Sequence, residues 1–157
     1  MTTPPPPLTL HRADPVGAAT GWLATHPGLL ELLEAEDWSP GPGHRVGPRN
    51  APPFPRIRVG DSNADLRGFT GLSWCSLTLD ILGDPSWAPD GHKGRLRELA
   101  VATAEALSQL TSQPSVAGVV FTQVTGDGIA WAPLAPESQP RYVLTSTLWN
   151  KPARRLL

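Results

Sequence analysis

The chain has 157 residues, which allows one domain with a sizeable core but is short for an enzyme with a separate cofactor domain. Its 13 basic and 14 acidic residues give a formal net charge of −1, which excludes a global attraction to nucleic acid or anionic membranes. The single cysteine, Cys75, excludes an intramolecular disulfide and a multi-cysteine metal site, a usage that suits a reducing compartment.

The N-terminal segment is rich in proline. Pro4 to Pro7 favour an extended polyproline conformation and offer little to bury. The start of the chain lacks a basic segment followed by an apolar core, and no later run approaches the ~20 apolar residues of a membrane span. We therefore expect a soluble protein without a standard export signal or membrane partner. A flexible arm is predicted over residues 1–13, and a single domain over 14–157.

Two short helices are predicted after the arm. Asp14 followed by Pro15 is typical of a helix start, because aspartate accepts a hydrogen bond at the cap and proline lacks only a donor that the first turn leaves unused. Apolar residues then recur at helical spacing as far as Leu23. The sequence THPG at 25–28 interrupts this pattern and restarts a leucine-rich helix, although one kinked helix is an alternative.

Strand patterns follow a segment rich in proline and glycine. Residues 39–55 predict a long surface connection, and the alternating residues 56–60 predict a strand, followed by a polar loop over 61–71. The clearest strand pattern is 73–82, SWCSLTLDIL. One face of this strand is predicted to carry Cys75, Leu77, Leu79 and Ile81, and the other Trp74, Ser76, Thr78 and Asp80.

The second half of the chain predicts a long helix and three more strands. The helix is expected over 91–112 with Asp90 as its cap. Its apolar stripe comprises Leu96, Leu99, Ala100, Thr103, Ala106, Leu107 and Leu110. Strands are expected over 116–124 and 129–133, joined by a tight TGDG turn, and over 141–150. The predicted order along the chain is two helices, two strands, a long helix and three strands. This order predicts an α+β fold, with helices on one face of a mostly antiparallel sheet.

One short motif suggests a hydrolase. Residues 58–66, RVGDSNADL, look like the nucleophile block of GDS-type serine hydrolases, with Ser62 as the nucleophile. A nucleophilic serine needs a nearby base, and that family places an Asp-x-x-His element near the C-terminus, whereas no histidine follows His92. The alternative is a strand-to-loop turn in which Gly60 relaxes the backbone and Asp61 hydrogen-bonds locally. We expect no enzyme activity.

Other chemical groups also favour structural roles. Cys75 falls on the inner face of a predicted strand, where a free cysteine is typically a core residue. The four histidines show no ligand spacing, and Asp80, Asp84 and Asp90 lack the alternating pattern of a calcium loop. There is no phosphate-binding loop. We therefore predict no catalytic residue, cofactor or metal.

Basic and aromatic residues provide the remaining signals. Several small groups of arginine and lysine are each consistent with a solvated surface, but if they converge on one face they could line a channel that passes DNA. Trp74 and Trp149 fall on the polar faces of their predicted strands. Such aromatic residues indicate a covering loop or a partner protein.

Five segments together resemble a known family: HPGLLELL, FPRIRVG, SLTLDILG, GRLRELAVATAEALSQL and VAGVVFTQVTGDGIAWAPLAPESQPRYVLTSTLW. In this order and spacing they are similar to the tail terminator (tail completion) proteins of long-tailed bacteriophages, especially those of actinobacterial hosts. The likeness covers residues from about 15 to 150. The chain departs from the family in its proline-rich arm and in the 39–55 connection.

The resemblance implies an α/β fold assembled as a hexameric ring. Such a ring sits on the completed tail tube, stops further polymerisation and offers a surface to the head connector. The expected partners are the chain itself, the major tail (tube) protein and the head–tail connector protein, with DNA passing through the lumen without sequence-specific binding. The expected location is the head-proximal end of the virion tail, after assembly in the host cytoplasm. A neck or head-closure protein of similar size is the alternative.

A closed ring requires two different complementary surfaces on each subunit and no catalytic group. The predicted contact elements are the 61–72 loop, the outer face of the last strand and the basic start of the long helix. The candidate interface residues are Arg56, Arg58, Asp61, Asp65, Arg67, Phe69, Lys93, Arg95, Arg141 and Trp149.

Overall fold

The computed structural model describes residues 3–4, 14–38, 41, 43–60, 63–66 (backbone only), 72–88 and 90–153. Its elements are α1 (Pro15–Thr25), α2 (Pro27–Leu33), β1 (Val46–Gly47), β2 (Arg56–Val59), β3 (Asn63–Leu66), β4 (Ser73–Leu82), α3 (Lys93–Ser108), a 3-10 turn (Gln109–Ser112), β5 (Val119–Trp131) and β6 (Arg141–Pro152). The strands form one sheet in the order β1-β2-β4-β6-β5, and β3 pairs with β4 beyond the end of β2. Among the described strands, only the β1–β2 pair is parallel. The predicted α+β class with a mostly antiparallel sheet is confirmed.

The core lies between the helices and one face of the sheet. Every residue of the predicted stripe in the long helix is buried, because residues spaced by three and four share the face that packs on the sheet. The inner row predicted for β4 is confirmed, although Asp80 on the opposite face is buried too, and β6 alternates in the same way. Their buried inner rows are Cys75, Leu77, Leu79 and Ile81 in β4, and Tyr142, Leu144, Ser146 and Leu148 in β6.

The N-terminal helices begin where the sequence predicts. The Gly17 amide donates to Asp14 Oδ1 at 2.8 Å, so Asp14 caps α1 and Pro15 occupies the first turn. The extended backbone of His26 then separates α1 from α2, which gives two helices and not one kinked helix. His26 also caps α2, because its Nδ1 accepts from the Leu29 amide at 3.4 Å.

The predicted cap of the long helix is wrong. Asp90 lies in a turn closed by a hydrogen bond of 2.8 Å from the Gly91 amide to the Ala88 carbonyl, so it precedes the cap position by two residues. His92 occupies that position without a side-chain capping bond. Its ring lies 4.2 Å from the Trp87 ring, centroid to centroid, so aromatic packing holds the start of α3.

The predicted TGDG turn is also wrong, because β5 continues through it as one strand. Gly126 and Ile129 pair with Ser146 and Leu144 of β6, and the register shifts between them. Gly128 has a φ of +102°, a conformation that suits a bulge as well as a turn. Among the described residues, four strands precede α3 and two follow it, instead of the predicted two and three.

The two predicted loops contain structure that their composition did not indicate. The 39–55 segment includes β1, and it buries Arg45 and Phe54, so it is not wholly a surface connection. A two-residue strand is too short to show a periodic pattern. Within the predicted 61–71 loop, β3 pairs with β4 from Asn63 to Leu66. Most of the predicted arm lies outside the described residues.

Candidate interaction surfaces

No metal site is assembled among the described residues. No group of three or more His, Cys, Asp or Glu side chains among them could bind a metal ion. The Asp84 carboxylate, considered above for a cation, accepts from the Ser86 amide and hydroxyl, both at 2.8 Å, and so stabilises a turn. Ser62, the candidate nucleophile, lies outside the described residues. None of the described helices is long and apolar enough to cross a membrane.

Cys75 is a core residue, as predicted, and its side chain is fully buried. Burial, with a smaller contribution from the charge of Asp14, raises the pKa of the thiol to about 11. At pH 8 the folded protein therefore carries almost no thiolate, which is the reactive form.

We expect Cys75 to resist iodoacetamide at pH 8 in the native protein and to react readily in urea, as measured by mass spectrometry. The folded-state pKa of the Cys75 thiol lies above the ordinary value of about 8.5. The thiol therefore contributes fully to stability below that pH, and this contribution declines as the pH rises towards about 11. Equal alkylation rates in native and unfolded protein would contradict the burial of Cys75.

A cavity of about 630 Å³ lies at the end of the sheet where β6 begins. The side-chain amides of Asn50 and Gln139 bond reciprocally beside it, at 2.8 and 3.0 Å, and Gln139 also donates to the Gly83 carbonyl at 2.9 Å. These bonds hold three loops together. Ser86 also lines the cavity, and a nucleophilic serine needs a nearby base. None of the described lining residues is a histidine, so no imidazole is available there to activate the Ser86 hydroxyl.

The sheet face opposite the core, here called the outer face, is partly exposed and rich in hydroxyl groups. Cross-strand pairing aligns its side chains in rows. The rows are Gln123–Trp149–Trp74, Thr125–Thr147–Ser76, Thr145–Thr78 and Ala130–Val143–Asp80. The side chains that β6 contributes to these rows are half-buried, so the outer face is open to contact with another molecule.

Trp74 and Trp149 form the aromatic end of the outer face. They are direct partners across β4 and β6, and their ring centroids lie 6.4 Å apart at an interplanar angle of 48°. Both side chains are only partly buried. Large aromatic groups in this position are characteristic of protein contact surfaces.

Arg58 and Arg141 meet at Asp80 near the other end of the outer face. Asp80 Oδ2 accepts from Arg58 Nε at 2.8 Å and from Nη2 at 2.5 Å, and Oδ1 accepts from Arg141 Nη1 at 3.5 Å. Arg141 Nε also donates to the Ala132 carbonyl at 2.7 Å. The structure thus brings two predicted interface residues together in one ion-pair cluster that links β2, β4 and β6.

Arg56, a further predicted interface residue, belongs to a group that we call the edge arginines: Arg45, Arg49 and Arg56. Arg45 and Arg56 are buried, with 3% and 6% of their surfaces exposed. Burial lowers the pKa of both guanidinium groups, and the charge of Arg49 adds to the effect on Arg56. No described carboxylate forms a salt bridge with an edge arginine, which is a costly arrangement for buried charges.

The two candidates at the start of the long helix lie apart from these surfaces and stack on tryptophans. Lys93 Nζ lies 4.9 Å from the Trp131 ring centroid, and the Arg95 guanidinium lies 4.9 Å from that of Trp38. Arg95 also donates two hydrogen bonds to the Asp37 carboxylate. These hydrogen bonds lower the pKa of Asp37 and raise that of Arg95.

The remaining candidates are described in part or not at all. Asp65 lies in β3, opposite Trp74 in the register with β4, and only its backbone is described. Asp61, Arg67 and Phe69 lie outside the described residues. Sequence reasoning left Arg45 and Arg49 out of the candidate set, because nothing in their loop pattern indicates a strand or a buried charge.

The structure defines an α+β domain with a partly exposed outer face and, among its described residues, no group of side chains that could bind a metal ion. No protein family matches the chain, and no curated protein matches it either. Among solved structures, the fold is similar to that of a chain in the virion of a native gene transfer agent particle. That similarity has a TM-score of 0.62 and 13% sequence identity, and it covers 87% of this chain and 93% of the other.

Proposed function

We propose that this protein is a virion structural protein, specifically a tail terminator. It caps the completed tail tube as a hexameric ring and provides the interface to the head connector. The observation that carries the proposal is the match in fold, over nearly the full length of both chains, to a chain of a virion particle. The order of sequence segments that resembles the tail terminator family supports the finer role.

The surfaces of the domain suit assembly and not turnover. The two edges of the sheet, β1 and β5, differ in length and charge, so contacts between copies that use both edges are heterologous and can close into a ring. The open outer face, with Trp149 and Trp74 at one end, offers a separate surface for a tube or connector protein. Its arginines and threonines are compatible with DNA passing nearby without base-specific contacts.

The proposal is tested on tubes polymerised from the cognate major tail (tube) protein. A gold-labelled tail terminator is expected at one end of each tube in negative-stain images, and its addition should stop further growth of tubes from free subunits. Labelling along the whole tube, or no labelling with continued growth, would overturn the proposal.

A neck or head-closure protein is the second candidate, since the matched structure is a whole particle and not a tail alone. The same labelled protein distinguishes the two roles. A neck protein would bind isolated head connectors in a pull-down and leave tube growth unchanged. A terminator should stop tube growth before any connector is added.

A further inference from the structure

The edge arginines form no salt bridge with a described carboxylate, although the charge of Glu34 acts on Arg45. Arg45 donates to the carbonyls of Pro55 at 3.3 Å and Gly41 at 2.8 Å, and Arg56 donates to the carbonyl of Ala51 at 2.8 Å. The Nε atoms of Arg45 and Arg56 are buried and have no hydrogen-bond partner among the described residues. Backbone carbonyls satisfy some of these donors, but they carry no net charge to balance the guanidinium groups.

Arg49 is the exposed member of the edge arginines. Its side chain is exposed and makes no hydrogen bond or salt bridge with a described residue. Arg56 lies behind it, with its Nη2 atom 4.0 Å from where a Cβ on Gly47 of β1 would stand. The group therefore lies along the β1 edge of the sheet, where a carboxylate from another chain would offset repulsion between the arginines.

The opposite edge of the sheet carries such a carboxylate. Asp127 is the single ionisable side chain in β5. It lies at the register shift beside Gly128, is exposed, and makes no hydrogen bond or ion pair with a described residue. Within the described part of the chain, β6 is the one strand that pairs with β5, and the bridge from Val119 to Val116 lies at the start of β5, so its other edge near Asp127 is free for contact.

We propose that the β5 edge of one copy docks on the edge arginines of a second copy, with Asp127 pairing with Arg49 in front of the buried Arg56. This inference rests on the proposed ring and specifies its subunit contact. The two surfaces are different and lie at opposite edges of one sheet, so each copy uses both of them and the contact repeats around the ring. In the assembly, Asp127 then places a negative charge near the buried Arg56, which forms no salt bridge with a described carboxylate.

A charge exchange tests this contact, with ring formation measured by mass photometry. Arg49→Glu alone and Asp127→Arg alone are each expected to reduce the ring fraction at least ~10-fold, as for an interfacial charge pair made repulsive. The double variant carries both changes in every subunit and should restore rings. Both positions are exposed, so the monomers should remain folded by circular dichroism. Arg97→Glu, at an exposed position of α3, is the matched control and should leave rings intact.

Cross-linking tests the geometry independently. An Arg49→Cys chain mixed with an Asp127→Cys chain should give a dimer with a short bis-maleimide, whereas Arg97→Cys mixed with Asp127→Cys should not. Cys75 is buried in every variant and should not react. Wild-type rings without the mixed dimer, or dimers of Arg49→Cys with itself, would overturn the contact and leave the proposed function standing. A wild-type chain that stays monomeric even on tail tubes would overturn both.

Discussion

Replacing Asp80 by alanine is expected to lower the free energy of unfolding by about 2 to 3 kcal/mol. The carboxylate is 8% exposed and binds Arg58 and Arg141, which are 26% and 21% exposed. Removing one member of a fully buried pair costs about 3 to 5 kcal/mol, because the other charge is left without a partner. The two arginines still reach water, so a smaller loss is expected here.

Urea unfolding followed by tryptophan fluorescence measures this loss. Asp127→Ala is the matched control, since Asp127 is exposed and unpaired among the described residues, and its stability change should stay within about 0.5 kcal/mol. Similar values for Asp80→Ala and Asp127→Ala would mean that the Arg58–Asp80–Arg141 cluster does not stabilise the sheet.

Replacing Trp149 by threonine is expected to weaken binding to preassembled tail tubes at least ~10-fold, as for an aromatic residue central to an interface. Threonine keeps the β-branched character of its neighbours on the outer face, so the strand should be retained. Loss of the ring contact with Trp74 should cost the monomer about 1 kcal/mol, in addition to the loss of the apolar area that the half-buried Trp149 covers. Co-sedimentation with tubes measures the binding, and thermal unfolding measures the stability.

Val101→Thr provides the control for the tryptophan variant. Val101 is 40% exposed on α3, away from the outer face, so this isosteric loss of apolar surface should leave tube binding unchanged. If Trp149→Thr binds tubes as well as Val101→Thr does, the aromatic end of the outer face is not the tube-binding surface.

Long periodic segments of this fold could be predicted because their local pattern and tertiary environment agree. The stripe of α3 and the alternation of β4 and β6 each extend over about ten residues or more, and burial on one face accounts for the positions of the stripe and of the inner rows. The Asp14–Pro15 cap is equally local, since its hydrogen bond closes within three residues.

Predictions failed where a distant partner overrides a local signal. The TGDG sequence has the composition of a turn, but the ladder along β6 carries β5 straight through it and leaves Asp127 exposed at a register shift. Asp90 has the chemistry of a cap, but aromatic packing of Trp87 on His92 begins the helix later. β1 exists only because β2 pairs with it.

The candidate interface shows the same difference between what a local pattern determines and what a distant contact determines. Amino-acid order alone determined the fold class, the inner rows of the sheet and the placement of Trp149 on its outer face, because alternation in a strand depends on the backbone and not on the partner. Only the tertiary structure decided that Arg58 and Arg141 share Asp80 and that Arg45 and Arg56 are buried without a salt bridge to a described carboxylate. These arrangements join residues up to 61 positions apart, and such contacts follow from strand order and register, which no local pattern encodes.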